Sequence, residues 1–234
     1  METISGLSRK DSCILEKILR ICVLKKVYFI LFLQLLLTFG MVALFVFVQE
    51  IKDFAQENIG LFWAAFGVSF ALIIAMSCCP SVRRKTPHNY ICLFLFTLAE
   101  GWLIGCAAAT YEADEVMYAV GATLAVTLGL TLFAFQTKWD FTMMGGMLYV
   151  FLIVLFFFGI IAAIVQNNIT NLVYACCGAL LFSFYIVYDT QILIGGNHKL
   201  AISPEEYVFA ALNIYLDVIN LFMYLLQIIG LAKD

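Results

Sequence analysis

Seven stretches of this chain are long and charge-poor enough to cross a lipid bilayer: 27–48, 59–79, 89–111, 116–136, 141–165, 169–188 and 207–231. A spanning helix needs about 20 apolar residues, because each adds ~1.5 Å against a hydrocarbon core of ~30 Å. Five of the seven carry no charge; the third holds Glu100 and the seventh Asp217. The linkers leave no room for a soluble domain. The chain therefore reads as an all-α membrane protein, with one seven-helix domain over 27–231 behind a basic segment at 1–26. Composition agrees: 64% hydrophobic and 12% charged, where a soluble domain runs near half apolar and about a quarter charged. A soluble enzyme, a nucleic-acid binder and a disordered regulator are excluded.

Orientation follows from Lys and Arg. Eleven of them fall in the N-terminal segment and the even-numbered loops, and only Lys52 and Lys233 on the other side. The positive-inside rule then puts the N-terminus in the cytosol. The first apolar run lacks a small-residue cleavage site and reads as a retained anchor. Residues 1–26, with Ile14, Leu15, Ile18 and Leu19 at helical spacing, read as a short interfacial helix or a disordered tail. The eight cysteines show neither a disulfide framework nor zinc-ligand spacing with histidine, and read as small packing residues. Asn168-Ile169-Thr170 is a glycosylation sequon in a short outer loop.

Gly101, Gly105 and Ala109 recur every fourth residue on the third helix, and Gly121, Ala125 and Gly129 on the fourth. Helices in lipid associate through close backbone approach at small residues, so both rows are expected at helix contacts. Ser203-Pro204-Glu205-Glu206 has the form of a capping box for helix 7. Its alternative reading makes Glu205 and Glu206 an acidic cytosolic mouth.

Helix 7 carries Asn213, Asp217, Asn220, Tyr224 and Gln227, spaced four, three, four, three. That is one helix face, and lipid does not tolerate it. Helix 7 is therefore expected at the centre, with the other six around it. Three acids, Glu100, Asp189 and Asp217, lie in or at the edge of spans that hold no Lys, Arg or His. Each carboxylate at the bilayer centre costs ~2.5–3.5 kcal/mol on insertion scales. They must be protonated, share protons, or hold a cation. Two close carboxylates cannot both ionise cheaply, so Asp189 and Asp217 form a candidate pH sensor: closed on a shared proton, repelling and cation-seeking without it. Hard oxygen ligands suit Ca²⁺, here a transient metal ligand set and a permeant ion, with no tightly bound cofactor. Depth opposes the pairing. Asp217 lies about 15 Å into the membrane and Asp189 one residue beyond the limit of helix 6, so a later end to that helix or a tilt is required. The alternatives are protonated acids acting as interhelical glue and, for Glu100, a bond to Thr97 or a neighbouring helix.

At these residues the sequence resembles the transmembrane Bax-inhibitor-motif family, in its lifeguard branch. The stretches that carry the resemblance are Arg84-Lys85-Thr86-Pro87-His88-Asn89, Gln136-Thr137-Lys138-Trp139-Asp140-Phe141, Gly178-Ala179-Leu180-Leu181-Phe182, Tyr188-Asp189-Thr190-Gln191 and Ser203-Pro204-Glu205-Glu206-Tyr207, continued by Asn213 to Asn220. The resemblance implies a seven-helix fold with helix 7 enclosed and a calcium leak in endoplasmic reticulum or Golgi membranes. It also implies suppression of apoptosis, with Asp189 and Asp217 as the paired aspartates of a pH-sensing closure. An arginine latch from helix 2, found in some bacterial members, has no counterpart within 59–79.

An intramembrane aspartyl protease needs a Gly-x-Gly-Asp partner, where this chain has Tyr215-Leu216-Asp217; a serine protease needs a glycine after Gly67-Val68-Ser69. The chain is therefore read as no enzyme. An inward N-terminus and spans free of proline argue against a receptor. The remaining rival is a non-conducting scaffold that inhibits apoptosis by binding apoptosis regulators. Expected partners are the lipid bilayer and calcium ions, and no nucleic acid.

Overall fold

The computed structural model describes residues 9–195 and 206–233. Within them lie nine α-helices, α1 (Arg9–Phe47), α2 (Gln49–Glu57), α3 (Ile59–Cys78), α4 (Pro80–Arg84), α5 (His88–Ala108), α6 (Ala113–Gln136), α7 (Gly145–Val165), α8 (Asn168–Ile194) and α9 (Tyr207–Lys233), with a 3-10 turn at Phe141–Met144 before α7. Seven, all but α2 and α4, are long and apolar enough to cross a membrane. The chain is a multi-pass membrane protein. Its outer surface is correspondingly apolar, with Trp63, Phe66, Phe70, Phe151 and Phe156 all exposed. In water such a surface would drive aggregation; in lipid it is the solvent-facing side.

The axis of the bundle is α9. Half of its membrane-crossing stretch is buried inside the molecule, against 11% for α3 and 17% for α7. From Glu206 to Leu231 no residue is exposed. It packs on α8, α6, α1 and α5, while α3 backs α5 and α7 backs α8. Val208, Ala211, Leu212, Tyr215, Val218, Phe222 and Leu226 of α9 are wholly buried. The enclosure expected from its polar stripe is what the packing shows.

Successive spans alternate in direction, which gives the molecule a basic and an acidic end. At the basic end Lys26 of α1, Arg83 and Arg84 of α4, and Glu206 meet the start of α9. At the acidic end Lys233 reaches Glu115 of α6.

Four expectations are corrected. The basic segment is helical from Arg9, one of its two readings, but it runs without a break into the first span instead of forming a separate short helix. Nothing between Arg9 and Phe39 is glycine or proline, so helical propagation is uninterrupted into the basic segment. The sixth span ends at Ile194 rather than Tyr188. Gln191 anchors this extension: its amide nitrogen donates to Trp139 O at 2.9 Å, and its oxygen accepts the Phe141 N–H at 2.8 Å. Gly195, at φ +65°, then stops the helix. Asn168 opens α8 instead of lying in a loop, with Asn167 capping through the Ile169 N–H.

The fourth correction concerns small residues. Gly101, Gly105 and Ala109 are buried, and a Cβ at Gly101 or Gly105 would meet Met41 or Phe45 of α1 at 2.7 Å. That row is a helix contact. Gly121, Ala125 and Gly129 are exposed, and nothing lies within 4 Å of a Cβ at either glycine. The inner face of α6 carries Ala119, Thr123, Thr127 and Thr131 instead.

Candidate functional site

The stripe of α9 looks into α8. Asp217, 5% exposed, faces Asp189, and the two carboxyls are in hydrogen-bonding contact. The six added residues of α8 set Asp189 more than a turn inside the helix end, which takes up about half of the ~15 Å depth mismatch read from the sequence. Two carboxyls bond each other only when one keeps a proton. The second oxygen of Asp217, Oδ2, is buried and receives no hydrogen bond from a protein donor. Tyr185 stands near both acids and Tyr188 near Asp189.

Further along the stripe, Tyr224 is fixed on three sides. Its hydroxyl meets that of Tyr174 at 3.0 Å. Its ring stacks on Phe182 at 5.8 Å. Gly178 leaves the space its edge fills, a Cβ there lying 2.5 Å from the ring. Asn220 donates to the Leu216 carbonyl of its own helix at 2.8 Å, and Asn213 is half-buried.

Gln227 opens at the acidic end into a cavity of about 400 Å³, also lined by Thr110, Tyr111, Glu112, Glu115 and Asn171. Glu112 and Glu115 form a capping box at the start of α6, each side chain taking the other's backbone N–H. Burial, and then the Glu115 charge, push the Tyr111 phenol above its ordinary range.

Glu100 is not part of the aspartate pair. It lies beside Ser69 of α3, whose hydroxyl donates to the Phe66 carbonyl at 3.2 Å, and near Tyr215. Tyr215 and Asp217 are two residues apart, so they point to opposite sides of α9. The Tyr215 hydroxyl bonds Thr38 of α1 at 2.8 Å in a fully buried position. The acids are thus divided: Asp189 and Asp217 between α8 and α9, Glu100 between α3 and α5.

Glu206 is held in a basic clamp. Its Oε1 lies 2.8 Å from Arg83 and 3.0 Å from Arg84. Glu205, Ser203 and Pro204 lie outside the described residues. Four of the stretches that carried the family resemblance meet in two pairs. Arg84 of the first touches Glu206 of the last, and Gln191 ties 188–191 to 136–141.

Residues 20–234 match the family described as inhibitor of apoptosis-promoting Bax1. The chain belongs to that family. It is 37% identical to protein lifeguard 3 of Homo sapiens over 211 residues, 88% of this chain and 68% of that protein. The same identity and coverage hold for protein lifeguard 3 of Mus musculus. It is 40% identical to the Golgi anti-apoptotic protein of Vaccinia virus over 215 residues, 92% of this chain and 87% of that protein. It is thus a membrane protein of the anti-apoptotic Bax-inhibitor and lifeguard family.

In this member of the Bax-inhibitor family, sequence reasoning missed the partners of two polar groups, Thr38 for Tyr215 and Tyr174 for Tyr224. One signal was available. Gln34 and Thr38 stand four apart in an otherwise apolar run, which marks an inward helix face.

Proposed function

We propose that this chain is a pH-sensitive calcium leak of an intracellular membrane and that the leak restrains apoptosis. The observation that carries this reading is the contact between the carboxyls of half-buried Asp189 and buried Asp217. With a shared proton the pair is a hydrogen bond that holds α8 against α9. Without it, two anions in a low-dielectric interior repel and need a cation. Calcium is the cargo. It takes about 6–8 oxygen ligands, more than two carboxylates provide, so the ion keeps water and passes rather than stays.

The basic end, with Lys26, Arg83 and Arg84, is taken as cytosolic. The acidic cavity beside Gln227 then faces the store. The Golgi named for the viral relative supports an endomembrane address. Glu100, on the far side of α9, is assigned a supporting role in the path.

Reconstitution into liposomes holding a calcium dye tests the reading. Calcium flux above that of protein-free vesicles is expected. Absence of flux from folded protein would leave the family's survival function to a scaffold that binds regulators.

A further inference from the structure

The Cys78-Cys79 pair closes α3. Both thiols are free and both residues are exposed, so neither fills the packing role read for the cysteines from the sequence. Their place in the fold sets their depth. The 20 residues of α3 rise about 30 Å, the thickness of a hydrocarbon core. Cys78, the last of them, stands at the basic end, where acyl chains meet headgroups. Cys79 leaves the helix in an extended conformation and turns the chain into α4. Arg83 of α4 folds back on this corner, its Nη1 donating to the Ser77 carbonyl at 3.5 Å.

The surface leading to Cys78 faces lipid. Among the seven spans α3 is the least buried. Phe66, Phe70, Ile74 and Cys78 follow at four-residue steps along one side of the helix, and all four are exposed. The row runs about 18 Å, comparable to an extended long-chain acyl group. A free thiol thus sits at the headgroup end of an apolar strip of acyl length. The other cysteines of known exposure lack that setting. Cys92 and Cys106 are partly buried. Cys176 and Cys177 are exposed but lie about 12 Å into the bilayer from the acidic end. Cys22 is exposed at the basic end, with Lys25 and Lys26 between it and the first apolar run.

We propose that Cys78 and Cys79 are an S-acylation site, taking a long-chain fatty acyl group from an acyl-coenzyme A thioester through a membrane acyltransferase. The site rests on the cytosolic assignment of the basic end made above, because that donor is cytosolic. The cysteine thiolate attacks the thioester carbonyl. A new carbon–sulfur bond forms, the donor's carbon–sulfur bond breaks, and the cysteine proton ends on the thiol of coenzyme A; nothing is oxidised or reduced. The chain then lies along Ile74, Phe70 and Phe66. It holds the corner between α3 and α4 in the cytosolic leaflet, and with it Arg83, whose other contact is Glu206 at 2.8 Å.

Acyl exchange on the full chain expressed in cells tests the proposal. Free thiols are blocked, thioesters are cleaved with hydroxylamine, and the released thiols take a mass-shifting maleimide. The wild type is expected to shift only after hydroxylamine. Cys78→Ser with Cys79→Ser is expected to lose the shift, and Cys22→Ser and Cys176→Ser with Cys177→Ser to keep it. A wild type without a shift, or a shift that survives the loss of Cys78 and Cys79, would overturn the proposal. Peptide mapping of the tagged wild type needs no variant to fold: tags on other cysteines alone would overturn it too. Orientation is read separately, from protease access to an N-terminal tag in intact organelles. A reachable tag without any thioester sinks the acyl site and spares the orientation; a shielded tag sinks both.

Discussion

At the residue scale, the polar groups inside this molecule matter for what they would become if orphaned. Tyr215 is wholly buried and its hydroxyl has Thr38 as partner. Thr38→Val keeps the shape and strands that hydroxyl, which costs about 1–3 kcal/mol. Tyr215→Phe leaves only a threonine hydroxyl, which can turn to its own helix carbonyl, and is expected to cost less. Thermal unfolding in micelles should rank Thr38→Val as the more destabilising; the reverse order would show that the bond does not hold α1 to α9. Asp189 and Asp217 were legible in the sequence because an uncompensated acid in a span has few explanations. Their partners were not. Serine and threonine are cheap in a membrane helix, since they can bond their own backbone as Thr123 does to Ala119 at 2.7 Å.

At the element scale, α6 and α8 show why small-residue rows mislead. α6 carries two rows at fourfold spacing, the glycine–alanine row and the threonine row, and lipid and protein interior are equally apolar. Nothing hydrophobic selects which row turns inward. The threonines turned in and the glycines out. Gly121→Ala and Gly129→Ala should therefore be neutral, or stabilising by up to about 1 kcal/mol through helix propensity. Gly178→Ala should destabilise by about 1–3 kcal/mol, because Tyr224 is held by Tyr174 and Phe182 and cannot yield. Unfolding midpoints of the three variants check this, and a harmless Gly178→Ala would mean that Tyr224 is free to move. The central position of α9 was the best-read feature of the fold, since a polar face across a whole span leaves a helix nowhere else to sit. The ends of α1 and α8 were poorly read because charges and amides at helix ends can be helical or not, according to what they touch.

At the scale of the whole molecule, two connections tie the basic end together: the Glu206 clamp on Arg83 and Arg84, and the Gln191 bonds to the loop before α7. The clamp joins the turn between α3 and α5 to the first turn of α9, the helix that carries Asp217. Glu206→Gln keeps the size and removes the charge, and should speed hydrogen exchange in α4 and at the start of α9 while leaving α7 unchanged. Unaltered exchange in α4 would show that the ion pair adds nothing there. The aspartate contact spans the interface between α8 and α9 that the clamp steadies from one end, so proton loss at the pair and the packing of the axis helix are one event in this account.

That event is tested most directly by calcium efflux from liposomes as external pH is stepped from acid to neutral, with wild type, Asp189→Asn and Asp217→Asn side by side. The account predicts that wild-type flux falls as acid restores the shared proton, and that both variants lose this response, since an asparagine cannot exchange it. Wild-type flux with a wild-type pH response in both variants would contradict it.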